Sequence, residues 1–254
     1  MTPSATATTA AFAEWMALQQ SAEPARRKGE RTRDRIRLVT VALLNEVGYR
    51  DMKVADICAR AEITPPVLYL YFETKQALTI DVLREFLDRF LSRAEATPGG
   101  SAYASMLDAN MRWIALARAN AGLLRCLLEV SAEEPAFARL FATASDLWYQ
   151  RIARSIVRRF PSAAVDAAAI RLIAHAMGAM MDELTRKLFT GHKAQVQLLA
   201  ASVAPDDTAL AHFLTVIWYR ALYGASPTVE EGAPPVAPRL VAAGRRYASR
   251  TRSR

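Results

Sequence analysis

Glycine is scarce in this chain, at 10 residues of 254. No stretch shows sustained alternation of apolar and polar residues, the pattern of a half-buried strand. Cysteine is limited to Cys58 and Cys126, both inside apolar helical patterns. That excludes a disulfide framework and fits two buried thiols in a reducing compartment. His175, His192 and His212 are isolated, with no metal-ligand spacing to one another or to the cysteines. No GxSxG, HExxH or phosphate loop occurs, so an enzyme is not the expectation. Neither a metal nor a cofactor is called for. No apolar run is long enough to span a bilayer, and MTPSATATTAAFAEW lacks a basic leader with a continuous apolar core. The expectation is a cytoplasmic protein with no membrane partner.

What is present is helix-forming. Hydrophobic residues make up 52 % of the chain, and Ala, Leu and Arg are abundant. Apolar residues recur at three and four positions from Arg31 to Tyr223, so the fold class is all-α. The net charge of +8 is uneven. Residues 26–37 (RRKGERTRDRIR) carry seven basic and two acidic side chains, and residues 239–254 carry six Arg and no acid. The body between them is slightly acidic. Two cationic ends on such a body suit an anionic partner held at one face, or else solvated tails.

The punctuation divides the chain into a mobile N-terminal arm at 1–25, a helix-turn-helix unit at 26–74, a larger helical unit at 75–224, and a disordered basic tail at 225–254. In the arm, a short helix around Ala11 to Gln20 is possible. The periodicity predicts helices over about 32–47, 54–61, 65–72 and 75–94. After Thr97-Pro98-Gly99-Gly100 it predicts helices over 102–120, 123–131, 135–160, 165–190 and 207–223, with a weaker one at 194–202. Gly48 is placed to end the first of these in the left-handed conformation.

The most informative stretch is VADICARAEITPPVLYLYFETK, Val54 to Lys75. Two short helices around a tight turn form the layout in which the second helix can enter a DNA major groove. Thr64 is placed to cap that helix, with Pro65 at its first position. Leu68 and Phe72 should face Ile57 and Ala61. Pro65, Pro66, Tyr69, Leu70 and Tyr71 should face outward, with Lys75 just beyond and Lys53 ahead of the first helix. Tyr69, Tyr71 and Lys75 suit phosphate oxygens, which set register. Thr64, Pro65, Val67 and Leu70 lie nearest the base edges and offer few hydrogen bonds. Thymine methyl contact and DNA shape would then carry specificity. Arg26, Arg27 and Lys28 are placed to reach phosphates or the neighbouring minor groove.

From about Lys28 to Leu87 the chain resembles the N-terminal domain of the tetracycline-repressor (TetR) family of bacterial transcriptional regulators. The match rests on Ile57, Ala61, Ile63, Thr64, Leu68, Tyr69, Tyr71, Phe72, Lys75 and Leu78. Glu62 stands where the family usually has Gly, in a turn position that often needs a left-handed backbone. The resemblance implies that Thr64, Pro65, Tyr69, Leu70, Tyr71 and Lys75 line the DNA face. It also implies a homodimer on a palindromic, double-stranded operator, with repression the usual mode. The remaining helices would bind an effector and dimerise.

For the dimer, the helices near 165–190 and 207–223 are fit to pair across a two-fold axis. The first carries the small residues Ala174, Gly178 and Ala179; the second has Leu210, Phe213, Leu214, Ile217 and Trp218 at helical spacing. Ordinary packing within one chain is the other reading. For a mostly apolar small-molecule effector, the candidates are Trp113, Cys126, Phe141, Trp148, His175, Met177, Met180 and Met181. Any one of them fills a core equally well. His175 reads more simply as a hydrogen-bonded core histidine, although with Asp182 it could meet a polar ligand group. Arg151, Arg154 and Arg158 read as a solvated stripe. The expected function is a repressor released from its operator by the effector. The alternative is an architectural DNA-binding protein that takes no ligand.

Overall fold

The computed structural model describes residues 11–22, 27–92, 101–131, 134–159, 166–189 and 194–233. Among these, every regular element is helical. The order is α1 (Phe12–Ala22), α2 (Lys28–Glu46), α3 (Gly48–Asp51), α4 (Val54–Arg60), α5 (Pro65–Tyr71), α6 (Lys75–Ser92), α7 (Ala102–Ala119), α8 (Ala121–Val130), α9 (Pro135–Arg159), α10 (Ala167–Phe189), α11 (Ala194–Val203) and α12 (Asp207–Tyr223). The apolar periodicity located ten of these to within a few residues. The single turn α3 went unseen, because four residues carry no period.

The arm at the N-terminus departs from expectation. Residues Phe12–Ala22 form a docked helix with Phe12 and Met16 buried. Phe12 meets the ring of Phe86 edge-on at 5.5 Å and stacks on Trp15, over which the Arg89 guanidinium lies at 4.2 Å. Helix α1 thus caps the seam between α2 and α6, the helix that leaves the helix-turn-helix. Residues 225–233 also differ from the expected disorder. Tyr219 Oη donates to Glu231 Oε1 at 2.8 Å, and Ala233 is buried beside Tyr103 and Val216. The Arg-rich end of the tail lies outside the described residues.

One apolar core joins the two sides of the proposed boundary at 74/75. Ile36, Leu44, Ile57, Leu68 and Phe72 share it with Leu123, Leu127 and Phe137. Gly122 makes this possible. A Cβ there would lie 2.3 Å from Asn45 Cα and 2.8 Å from the Leu44 carbonyl oxygen. Helix α8 therefore runs directly on the backbone of α2. A second core lies among α7, α9, α10 and α12, around Ile114, Tyr149, Ala174, Leu214 and Trp218. Asn110 Nδ2 donates to Thr215 Oγ1 at 2.9 Å, and Arg118 pairs with Asp207, so α12 is fastened along α7 of its own chain.

Candidate DNA-reading helix and effector cavity

The turn between α4 and α5 is built by backbone bonds. The Ile63 N–H donates to the Cys58 carbonyl at 3.0 Å, and the Glu62 N–H to the Ala59 carbonyl at 3.3 Å. That pair is a Schellman closure, which puts the residue after the cap in the left-handed region. Glu62 occupies that position with φ 51°. A side chain with Cβ costs about 1 kcal/mol or more there. The turn geometry is kept although Gly is replaced.

Helix α5 then begins at Thr64, whose hydroxyl does not cap it, contrary to expectation. The reason is the Pro65-Pro66 pair: neither proline has an N–H to be capped. The next N–H groups, of Val67 and Leu68, reach the Thr64 carbonyl at 3.0 and 3.2 Å. The Thr64 side chain is left exposed at the helix start. Leu68 is fully buried, and Phe72 is buried. Opposite them Tyr69 is 52 % and Leu70 82 % exposed. Pro65 and Pro66 are exposed on the same element. Lys53 is exposed just ahead of α4.

Two residues of the expected outward set turn elsewhere. Tyr71 is half-buried against the core, its hydroxyl beside Gly29 at the start of α2, where an added Cβ would lie 3.5 Å from it. Lys75 turns inward. Its Nζ donates to the carbonyl oxygens of Tyr49 and Met52, each at 3.0 Å, and lies 4.4 Å from the Tyr49 ring centre. Those carbonyls stand at the end of α3, where the helix leaves acceptors unfilled. The ammonium is thus a tie between α3 and α6, and the phosphate role expected for it is corrected. Within the basic run, Arg33 pairs with Asp81 at 2.9 Å, and Arg37 reaches both Asp81 and Glu85. These pairs bind α2 to α6. Arg27 and Lys28 are exposed at the start of α2, on the side of Tyr71; Arg26 lies outside the described residues.

Beyond this unit, α7 and α9 stand apart over α10 and α12. They enclose a cavity of about 600 Å³, within the usual range for small-molecule sites. Of the residues named as effector candidates, Trp113, Phe141, Trp148 and Met181 line it. Cys126, His175, Met177 and Met180 do not. Cys126 is buried in the core under α2, and Met177 and Met180 pack in the second core. His175 is on the surface, its ring 4.4 Å from that of Tyr149 and its Nε2 3.6 Å from Asp146. A buried histidine was the simpler expectation, and it is not what the helix phase delivers. Gly178 and Ala174 face Tyr149 on α9: a Cβ at Gly178 would fall 1.7 Å from its hydroxyl oxygen. The small residues serve packing within the chain.

Several lining residues were not assigned to the cavity from sequence. Phe86 and Leu87 bring α6 into its wall. Trp218, assigned to a dimer helix, lines it from α12. Asp182 lies on its floor, and burial raises the carboxyl to about 6. Burial, with the Asp182 charge adding, pushes the Tyr149 phenol up to about 12. Arg151, Arg154 and Arg158 line the C-terminal part of α9 and are exposed. A signal for them existed. A solvated stripe is usually laced with acids three or four residues away, and this one has none.

Cys58 and Cys126 are buried and not joined in a disulfide. Among the described residues no group of His, Cys, Asp and Glu could hold a metal, and no helix is long and apolar enough to cross a membrane.

A buried scaffold presents an exposed helix and is joined by one long helix to a cavity-bearing bundle, which is the layout of a helix-turn-helix unit followed by a larger helical unit. Residues 36–82 match the family described as bacterial regulatory proteins, tetR family. The solved structures agree on the fold across both units. A tetR-family regulator from Streptomyces coelicolor is 17 % identical with a TM-score of 0.58, covering 84 % of this chain and 89 % of that one. A transcriptional regulator from Rhodococcus sp. Rha1 is 17 % identical with a TM-score of 0.59, covering 77 % and 98 %. FadR from Bacillus subtilis, in complex with stearoyl-CoA, is 17 % identical with a TM-score of 0.56, covering 75 % and 98 %. No curated protein sequence matches. The tetR-family match covers residues 36–82, and the solved structures extend the likeness of fold over the rest of the chain.

Proposed function

We propose that the chain is a homodimeric repressor that binds a palindromic double-stranded operator and is released by a mostly apolar small molecule. Residues 26–74 would bind DNA and residues 75–224 would hold the effector and the partner subunit. The observation that carries the DNA reading is Leu70, 82 % exposed beside Tyr69 on a helix that buries Leu68 completely. A large apolar side chain so placed needs a partner surface, and thymine methyls supply one. Thr64, Pro65, Pro66, Tyr69 and Leu70 form the reading face. Lys53, Arg26, Arg27 and Lys28 supply charge at its margins.

The ligand reading rests on the cavity reaching Phe86 and Leu87 of α6. Helix α6 begins at Lys75, next to the reading helix. A ligand that fits only one tilt of α6 would change the separation of the two reading heads in a dimer. It can do so only by its differential affinity for the two states, typically worth about 1–3 kcal/mol. The stearoyl-CoA held by the Bacillus subtilis relative supports an apolar ligand of some length. For the partner subunit, α10 and α11 expose Leu172, Leu198, Leu199 and Val203, at 71, 72, 64 and 53 %. Half-buried Phe213 and Ile217 on α12 extend this face. A second copy would cover it.

The test is selection of duplexes from a random pool by the purified full chain, with sedimentation of the complex. Inverted half-sites about one helical turn apart, ~34–36 Å or a multiple, bound by two chains, are expected. Recovery of unrelated sequences with equal affinity would overturn this reading in favour of an architectural protein.

A further inference from the structure

The cavity has a direction. Its lining on α9 runs from Phe141 to Arg159, roughly 27 Å along the helix axis. The α6 end is apolar, closed by Phe86, Leu87 and Phe141. The opposite end carries Arg154 and Arg158. Both are exposed, so they keep their water until a ligand arrives. Between the two ends the cavity's acid, Asp182, lies on the floor, and among the described residues no cation pairs with it.

We propose that this cavity takes an anionic amphiphile lengthwise, its charged head at Arg154 and Arg158 and its apolar tail against Phe86 and Leu87 of α6. The inference rests on the reading of this cavity as the effector site and gives that effector a chemical class. Guanidinium groups match carboxylate and phosphate oxygens with paired donors. The carboxylate of Asp182 repels a second anion from the aromatic middle, so the ligand enters one way round. The tail then lies on the helix that leads to the reading head, and its length decides how far α6 is pressed. One shared chemistry, an anion on a long apolar chain, covers both a free fatty acid and a phosphate-bearing acyl thioester.

The experiment measures binding to the full chain without DNA, by quenching of tryptophan fluorescence. The probes are palmitate, palmitoyl-CoA, hexadecanol and hexadecyltrimethylammonium, each below its micelle threshold. At least one anionic probe should bind tenfold or more tighter than hexadecanol, and more weakly as salt rises. Palmitate and palmitoyl-CoA separate the carboxylate from the phosphate source. The double variant Arg154→Gln/Arg158→Gln should lose about tenfold for the anion and keep its affinity for hexadecanol, which also reports that it is folded. Asp182→Asn should narrow the preference for palmitate over hexadecanedioate, whose second carboxylate the wild type rejects. Tightest binding by the ammonium probe would overturn the proposal, as would an unchanged affinity for the anion in the double variant. If the anion binds as expected but leaves operator binding untouched, the inducer reading fails and the head-group assignment stands.

Discussion

The backbone N–H of Phe12 donates to Asn120 Oδ1 at 2.7 Å, a buried bond between residues 108 positions apart. Asn120 in turn donates from Nδ2 to the Leu116 carbonyl at 3.0 Å, which fixes its orientation at the junction of α7 and α8. The N-terminal helix is thereby tied to the cavity-bearing helices while its Phe12 ring sits on α6. Asn120→Ala should cost about 1–3 kcal/mol, since it leaves a buried N–H unpaired. Removal of residues 1–22 should lower the unfolding temperature and uncover Phe86. A truncated chain as stable as the full one in calorimetry would show that α1 is a dispensable arm.

Lys75 and the basic start of α2 should respond differently to mutation. Lys75→Met should cost about 1–3 kcal/mol of stability, because two carbonyls lose a charged donor. It should leave the salt dependence of DNA binding unchanged. Arg27→Ala and Lys28→Ala should leave stability alone and each shallow the log–log salt slope by roughly one. The check is operator titration across a salt series, beside urea unfolding. A shallower slope for Lys75→Met would return its ammonium to the phosphates.

Leu70→Ala should act on specificity. Its side chain is 82 % exposed, so folding should change by less than about 0.5 kcal/mol. Discrimination among operator variants that exchange thymine for another base should fall by about 1 kcal/mol or more. Competition binding with such variants measures it. Undiminished discrimination would remove Leu70 from the base edges.

Glu62 offers a gain. Glu62→Gly should stabilise the chain by about 1 kcal/mol by relieving the left-handed backbone at φ 51°. The added freedom of the unfolded chain offsets part of this. Urea unfolding gives the difference, and loss of stability would mean that the Glu62 side chain has a compensating contact.

Asp182 should make stability fall as pH rises. Its folded carboxyl titrates near 6, above its ordinary value of 3.8, because of burial. Between those values the native state holds more protons than the unfolded one. Stability is therefore greatest below the unfolded value and declines until the group is charged above about 6. Asp182→Asn should remove this decline and stabilise the protein at neutral pH by roughly 1–2 kcal/mol, with allowance for water in the cavity. Unfolding temperatures of the two proteins should converge in acid. Equal stability at neutral pH would place the carboxylate in water.

Local pattern was enough for the buried face of the reading helix. The spacing of Ile57, Ala61, Leu68 and Phe72 determined which face of α5 is buried, and so which face carries Tyr69 and Leu70. The same holds for the left-handed turn at Glu62, which depends on residues within one turn of helix. Tertiary structure decided what the periodicity could not contain. Lys75 follows the surface rule for a lysine, yet α3 places two unfilled carbonyls within its reach. Arg154 and Arg158 share a stripe that reads as solvated until α7 stands apart and turns it into the edge of a cavity. Phe12 lies among Ala and Thr with almost no amphipathic signal around it, and its burial depends on Phe86 and Asn120, far along the chain. Helical phase follows from neighbours at three and four residues. The company a side chain keeps across the fold depends on how helices pack, and that is set by close approaches such as Gly122 on α2 and Gly178 on Tyr149.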